Sequence, residues 1–316
     1  MNSPAESVLR SWKDVPMGSL FFPPLLPKEL ASSVYAAIDF GISNIDVIVY
    51  AGGACCCWTR PSEGRPDAEL VQAILASGGV DLSSLRSLYV TGGQHRALPP
   101  RIGDWQVISV HEVDAIGHGG QVVARLASDG GDEPTLVVSA GSGTAVIAAR
   151  GERYAHVTGT GVGGGTLLGL SRLLLHTVDH HEIDALAHKG DPNGPDLSIG
   201  DVIMGPIGVL PPDVTAVNFG RLARHQLAVT RQDIAAALVT LVGQVIGIVA
   251  INAANAQQMD RIVVIGHLFD MASMRGVLKQ VGELYSMPII LPPDAGFGTA
   301  LGALLDGLAR SLGESG

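Results

Sequence analysis

The chain has 316 residues, 47% of them hydrophobic and 16% charged, enough apolar material for two modest domains or one large one. The formal net charge is −10 and no Lys/Arg run occurs, which excludes a nucleic-acid groove. Aromatics make up only 4%, so Gly, Ala, Val and Leu must fill the interior, as in many α/β enzymes.

The first thirty residues carry no basic start followed by a long apolar core, so they do not read as a signal peptide. Their prolines and the run "FFPPLLP" suggest an extended arm over 1–33. Residues 34–40 and 45–51 read as two strands joined by a tight turn at Gly41–Asn44. The three cysteines follow consecutively as Cys55, Cys56 and Cys57. Side chains that alternate across a strand cannot form a CxxC-type zinc site, so these read as reduced thiols in a cytoplasmic protein.

Residues 66–78 read as a helix, 87–93 as a strand ending in glycines, and 105–110 as another strand. His111, Glu112 and Asp114 follow directly, then a helix over 115–128 for which Asp114 is the expected N-cap. The opening pattern then recurs. "TLVVSAGSGTAVIAAR", 135–150, is again strand, Gly-rich turn, strand, with Gly141, Ser142, Gly143 and Thr144 in the turn. "GTGVGGGTLLGLSRLLL", 159–175, is a glycine loop running into a helix. Residues 232–256 are apolar for about the length of a bilayer span. Gln244, Asn252 and Asn255 interrupt them and no basic flank frames them, so they read as a buried helix, a candidate subunit interface. "RIVVIG", 261–266, is a strand, and the chain closes as strand, loop and helix. Two strand–turn–strand units separated by helices imply a duplicated α/β architecture whose halves face a cleft.

The glycine turns carry the chemistry. A turn without side chains lets backbone N–H groups approach a phosphate, and Ser43 and Ser142 add hydroxyl donors. Asp39 is the one carboxylate at the first strand end. An acid beside phosphates requires an intervening cation, and Mg²⁺ fits that role. The plainer alternative is a β-hairpin with a solvated Asp. The loop at 159–166 contains G-x-G-x-x-G at Gly159, Gly161 and Gly164, but it lies mid-chain, against a dinucleotide fingerprint. No Walker pattern occurs. Three glycine loops and one acid point to ATP held between two lobes. Glu112, just past a strand end, is then the candidate carboxylate to accept the acceptor's hydroxyl proton, unless it is merely a surface or capping residue. The His-rich stretch 176–188 lacks HExxH and reads as a solvated helix rather than a metal site.

Several blocks in order resemble the type II pantothenate kinases, within the acetate kinase/sugar kinase/Hsp70/actin superfamily. They are "IDFGIS", "TGG" at 91–93, "HEVDA", "SAGSGTAVI", "GTGVGGGTLLGL", "KGDPNGPDLSIGDV", "VTAVNFGRL", "VVIGHLF" and "GFGTALGALL", spanning about residues 36 to 305. The resemblance implies duplicated ribonuclease H-like domains of the actin/Hsp70/sugar kinase type. It implies an N-terminal lobe at 34–133 and a C-terminal lobe at 134–316 with a dimerisation helix. It also implies an ATP- and Mg²⁺-dependent phosphorylation of pantothenate, the first step toward coenzyme A, in a cytoplasmic homodimer that engages neither membrane nor nucleic acid.

Site residues follow from the same resemblance. Glu112 would be the base. Asp39, Gly41 and Ser43 would hold phosphates and the metal. Gly141, Ser142, Gly143, Thr144, Gly161, Gly163, Gly164 and Gly165 would surround ATP. Thr215 and Asn218 would border the pantothenate pocket. Two positions depart from the family: Asp46 stands where a Lys is usual, and His156 where an Arg meets substrate and phosphate. Arg153 is the alternative cation to His156. The loss of two cations leaves open a different hydroxyl substrate, or a nucleotide-binding protein without catalysis.

Overall fold

The computed structural model describes residues 33–52, 54–127, 133–203, 211–224 and 228–313. The arm expected over 1–33 therefore lies outside the described residues except for Ser33. The chain divides into two compact units. The first takes the residues up to Leu126 with Gly151–Ala155 and the segment from Gly296 onward; the second takes Ala127–Arg150 and His156–Ala295.

Unit 1 is built on a six-stranded sheet in the order β3-β2-β1-β4-β6-β5. Its strands are β1 (Val34–Phe40), β2 (Asn44–Ala51), β3 (Ala54–Pro61), β4 (Leu85–Thr91), β5 (Arg101–Ile102) and β6 (Trp105–Ser109). β1, β2 and β3 form an antiparallel meander, while β1, β4 and β6 run parallel. β1 is buried on both faces, which is why it reads as a nearly continuous apolar run rather than an alternating one. Helix α1 (Ala68–Ser77) starts at Asp67, whose carboxylate accepts from Leu70 N at 2.8 Å. Helices α2 (Glu112–Ala127) and α9 (Gly298–Gly313) cross at glycines. A Cβ at Gly302 would lie 1.9 Å from the Ala115 carbonyl oxygen, and one at Gly119 would lie 1.8 Å from that of Gly298.

Unit 2 repeats the plan. Its sheet runs β13-β12-β7-β8-β9, with β7 (Thr135–Ala140), β8 (Thr144–Arg150), β9 (Arg153–Thr160), β12 (Ile262–Ile265) and β13 (Ile289–Ile290). β7 and β8 are an antiparallel hairpin, and β7, β12 and β13 run parallel. Each sheet thus places a hairpin's first strand at its centre, with parallel strands continuing on the other side. The duplication expected from the sequence is present in the topology.

Helix α3 (Gly164–Leu174) follows the glycine loop, and α4 (His180–Ala187) carries the histidines. His180, His181 and His188 are exposed, while Asp184 accepts from the Ala272 and Ser273 backbone N–H groups and caps the helix that begins there. That helix is α8 (Ala272–Leu284). The short strands β10 (Leu197–Ser198) and β11 (Thr215–Val217) pair with each other, and the short helices α5 (Ile199–Val202) and α6 (Gly220–Arg224) follow them.

Helix α7 (Arg231–Gln257) is the one helix among the described residues long and apolar enough to cross a membrane, and 61% of its apolar window is buried inside the protein. Thr230 and Asp233 form its capping box, and Gln258 ends it in the left-handed region. Glycines let it seat on α8: a Cβ at Gly243 would meet Val277 at 2.7 Å, and one at Gly247 would meet Val281 at 2.8 Å. It is the core helix of unit 2.

Candidate functional site

In unit 1 the parallel strands β1, β4 and β6 bring their carboxyl ends to one edge of the sheet, the edge that α/β proteins use for ligands. Asp39 is the penultimate residue of β1 and half-buried. Its register partners are Asp46 on β2 and Thr91 on β4, and Asp46 in turn faces Thr59 on β3. Register partners share a face of the sheet, so Thr59, Asp46, Asp39 and Thr91 form one polar row across four strands. Asp46 is 7% exposed and accepts the Thr59 hydroxyl. The Thr91 hydroxyl is fully buried and has no hydrogen-bond partner among the described residues.

The turn that opens this edge is tight for a reason visible in the backbone. A Cβ on Gly41 would stand 2.7 Å from the Asn44 carbonyl oxygen. Gly92 (φ +85°) is pressed onto the end of β1, where a Cβ would lie 2.4 Å from Asp39 Oδ1 and 2.6 Å from the Phe40 carbonyl oxygen. Ser43 is exposed, and its carbonyl accepts from Ser62 N at 2.9 Å.

Glu112 is the first residue of α2 and is exposed. It follows Val110, whose N–H donates to the Val90 carbonyl at 2.8 Å, so it leaves the sheet at the same carboxyl edge. Asp114 is not the N-cap expected from the sequence. The helix begins two residues before it, and Asp114 sits in the first turn, paired with Arg310 of α9 at 3.0 Å. An acid in the first turn is favoured by the helix dipole and has the same local sequence signature as a capping acid.

In unit 2 the two glycine loops meet. Gly164 N donates to the Gly141 carbonyl at 2.8 Å and Gly165 N to the Ser142 carbonyl at 2.9 Å. The Thr144 hydroxyl donates to the Val162 carbonyl at 2.8 Å. A Cβ on Gly163 would lie 2.8 Å from the Gly143 backbone. Gly163, Gly164 and Gly165 therefore serve the close approach of loop to loop. Gly141 and Gly161 differ: a Cβ on either would meet nothing within 4 Å, so space beside these two is open. The loop ends at the N-terminus of α3, whose dipole and first N–H groups favour an anion. Gly266 (φ +113°) closes the other side, where a Cβ would come within 2.3 Å of the Ala140 carbonyl oxygen.

His156 lies on β9 and is exposed, with Nε2 3.6 Å from where a Cβ of Gly159 would stand. Thr215 and Asn218 come together on a residue the sequence reading passed over, Asp196. That carboxylate is fully buried and accepts from Phe219 N at 2.7 Å, Thr215 Oγ1 at 3.1 Å and Asn218 Nδ2 at 3.5 Å. Burial pushes its carboxyl up from the ordinary value, and the donors oppose that shift. Phe219 is held at φ +56°, a strained value for an aromatic residue, within this network. Its signal in the sequence was the block "KGDPNGPDLSIGDV", in which the acid at 196 was given no role of its own.

The repeated sheet is that of the actin/Hsp70/sugar kinase type of fold. The chain matches component A of the (R)-2-hydroxyglutaryl-CoA dehydratase of Acidaminococcus fermentans with a TM-score of 0.60 at 16% identity, covering 89% of this chain and 100% of that one. It matches a ROK family glucokinase from Streptomyces griseus, in complex with glucose and AMPPNP, with a TM-score of 0.54 at 13% identity, covering 88% and 100%. The family model described as Fumble matches residues 123–304. A type II pantothenate kinase of Bacillus cereus is 30% identical, over 71% of this chain and 81% of the relative. One from Oceanobacillus iheyensis is 27% identical, over 71% and 83%. The chain belongs to the Fumble family, that of the type II pantothenate kinases.

Proposed function

We propose that the protein is an ATP- and Mg²⁺-dependent kinase that phosphorylates the primary hydroxyl of pantothenate, the first step toward coenzyme A. One observation carries the reading beyond family membership: Glu112 heads α2 at the same sheet edge as Asp39 and the Gly41–Asn44 turn. In this role the Glu112 carboxylate accepts the hydroxyl proton while the acceptor oxygen attacks the terminal phosphorus. The open space beside Gly141 and Gly161, with the α3 N-terminus behind it, suits the polyphosphate.

The polar row on β2, β1 and β4 fits a hard divalent cation, which prefers oxygen ligands. Asp39 would hold it, with the neighbouring Asp46 carboxylate and the orphaned Thr91 hydroxyl beside it. Bound there, the cation would neutralise the charge that builds up on the transferring phosphoryl group. Asp46 stands where the family has a Lys, so this chain has an added need for such a cation. Thr215 and Asn218, fixed by Asp196, would border the acceptor pocket, and His156 would face it from β9. The half-buried apolar positions Leu241, Val245 and Ile248 on α7 would form the seam of a homodimer in the cytoplasm.

The test is ADP release on addition of pantothenate, with the product weighed by mass spectrometry. A pantothenate product heavier by one phosphate supports the reading. Absence of that product, at saturating ATP and Mg²⁺, overturns it.

A further inference from the structure

At the carboxyl edge of the unit 1 sheet, β4 and β6 stay in register only as far as Val90 and Ser109. Val110 N adds a last bond to the Val90 carbonyl at 2.8 Å. Beyond that rung the two segments part. β4 runs through Thr91 into Gly92, which is pressed onto Asp39, and β6 runs through His111 into Glu112 at the head of α2. The sheet ladder alone therefore does not fix the Gly92 turn against the start of α2.

His95 bridges them. It opens the single helical turn His95–Ala97 and is half-buried. Its ring Nδ1 meets the Gly92 carbonyl, and its Nε2 lies 2.7 Å from Ser109 Oγ. A carbonyl only accepts, so Nδ1 carries the ring proton. In the uncharged ring Nε2 is then an acceptor, and the Ser109 hydroxyl donates to it. The Gly92 carbonyl also accepts from His95 N at 3.4 Å, so ring and backbone hold the same oxygen and fix the ring's orientation. The contacts run from Asp39 through Gly92 and His95 to Ser109, three residues before Glu112.

We propose that His95 is a positioning residue for phosphoryl transfer: held as the Nδ1–H tautomer, it straps the Gly92 turn to the end of β6 and so sets the separation of Asp39 and Glu112. The inference rests on the phosphotransferase reading and deepens it by naming what holds its two acids in place. A base and a metal-holding acid must both be aligned when the phosphoryl group moves, and a misplacement of about 1 Å can cost about a hundredfold in rate. The strap lies in unit 1, whereas the open glycine loops and the Thr215–Asn218 pair lie in unit 2. Cutting it should slow the chemical step without weakening either substrate.

The experiment measures kcat and both KM values for pantothenate phosphorylation by the wild type, Ser109→Ala, Ser109→Thr, His95→Asn and the double variant Ser109→Ala/His95→Asn, with melting temperatures alongside. Ser109 is exposed, so loss of its hydroxyl should leave folding intact. Asn at 95 keeps an N–H for the Gly92 carbonyl but falls short of Ser109. Ser109→Ala and His95→Asn should each lower kcat about 10–100-fold, with both KM values within about twofold of the wild type. The double variant should fall no further than either single one, and Ser109→Thr, which keeps the hydroxyl, should retain most of the rate. Nitrogen NMR of the imidazole rings at about pH 8, with His95 assigned by its loss in His95→Asn, should show the proton on Nδ1. A wild-type kcat in Ser109→Ala, additive losses in the double variant, a raised KM with kcat intact, or a His95 ring protonated on Nε2 would each overturn the strap while the kinase reading stands. If the wild type makes no phosphorylated pantothenate, the kinase reading fails and the strap falls with it.

Discussion

Replacing Gly163 by Ala probes how the second and third glycine loops are joined. Gly163 has an extended backbone (φ −173°), so Ala is conformationally tolerated there and the effect is steric. The new methyl would sit 2.8 Å from Gly143 Cα, C and O. Ordinary carbon contacts begin near 3.4 Å, so the loops must part by about 0.6 Å. The bonds from Gly164 N and Gly165 N, now 2.8 and 2.9 Å, would stretch toward the limit of useful hydrogen bonding. Overpacking of this kind costs about 1–3 kcal/mol. That corresponds to a melting temperature lower by about 2–4 °C per kcal/mol for a unit of this size. If the same loops hold ATP, affinity should drop by about tenfold for each 1.4 kcal/mol transferred to the bound state. Gly161→Ala is the matched partner, since its methyl meets nothing. It should leave melting unchanged and weaken ATP alone, by intruding on the open space. Thermal melting and ATP titration of the two variants test this. A Gly163→Ala protein that melts and binds like the wild type would refute the packing argument, and a destabilised Gly161→Ala would refute the distinction between the two glycines.

Two further outcomes follow from buried ionisable groups. Asp196→Ala leaves the Phe219 N–H and the Thr215 and Asn218 donors without their shared acceptor, at a cost of about 3–5 kcal/mol in urea unfolding. Asp196→Asn should recover part of this, because the carbonyl oxygen can still accept from Phe219 N. His118, stacked on Tyr154 at 6.1 Å, has its pKa lowered chiefly by burial. A lowered folded-state value means that the unfolded chain takes the proton first. Stability is therefore full above the ordinary value of 6.5 and is lost as pH falls below it toward the folded value. Denaturation midpoints at pH 7.5 and 5.5 should show this loss in the wild type and a smaller one in His118→Gln; equal losses would contradict the assignment.

How much was legible in the sequence depended on how local each cause was. β1 follows its apolar run residue for residue, and both glycine hairpins sit where strand–turn–strand spacing put them, because turn chemistry acts within a few residues. β3 was read as a strand only at Cys55–Cys57, without its bounds, and β9 was not foreseen. Both are partly exposed, and "CCCWTRP" and "RYAHVTGT" lack clean alternation, so only pairing with β2 and β8 makes them strands. Asp196 was passed over because its partners stand 19 to 23 residues away, beyond the reach of any local pattern. Asp114 was misplaced by three residues because a capping acid and a first-turn acid look alike in sequence; the helix starts at Glu112, and Asp114 pairs with Arg310 from its first turn.

The proton acceptor is the centre of the account, and single-turnover phosphoryl transfer from ATP to pantothenate by Glu112→Gln tests it most directly. Glu112 is exposed and bears no packing, so the substitution should leave folding and ATP affinity intact. Transfer should slow by about 10²–10⁴-fold, the usual contribution of a positioned general base. A Glu112→Gln enzyme that transfers phosphate at the wild-type rate would show that this carboxylate takes no proton, and the chemistry assigned to the sheet edge would be wrong.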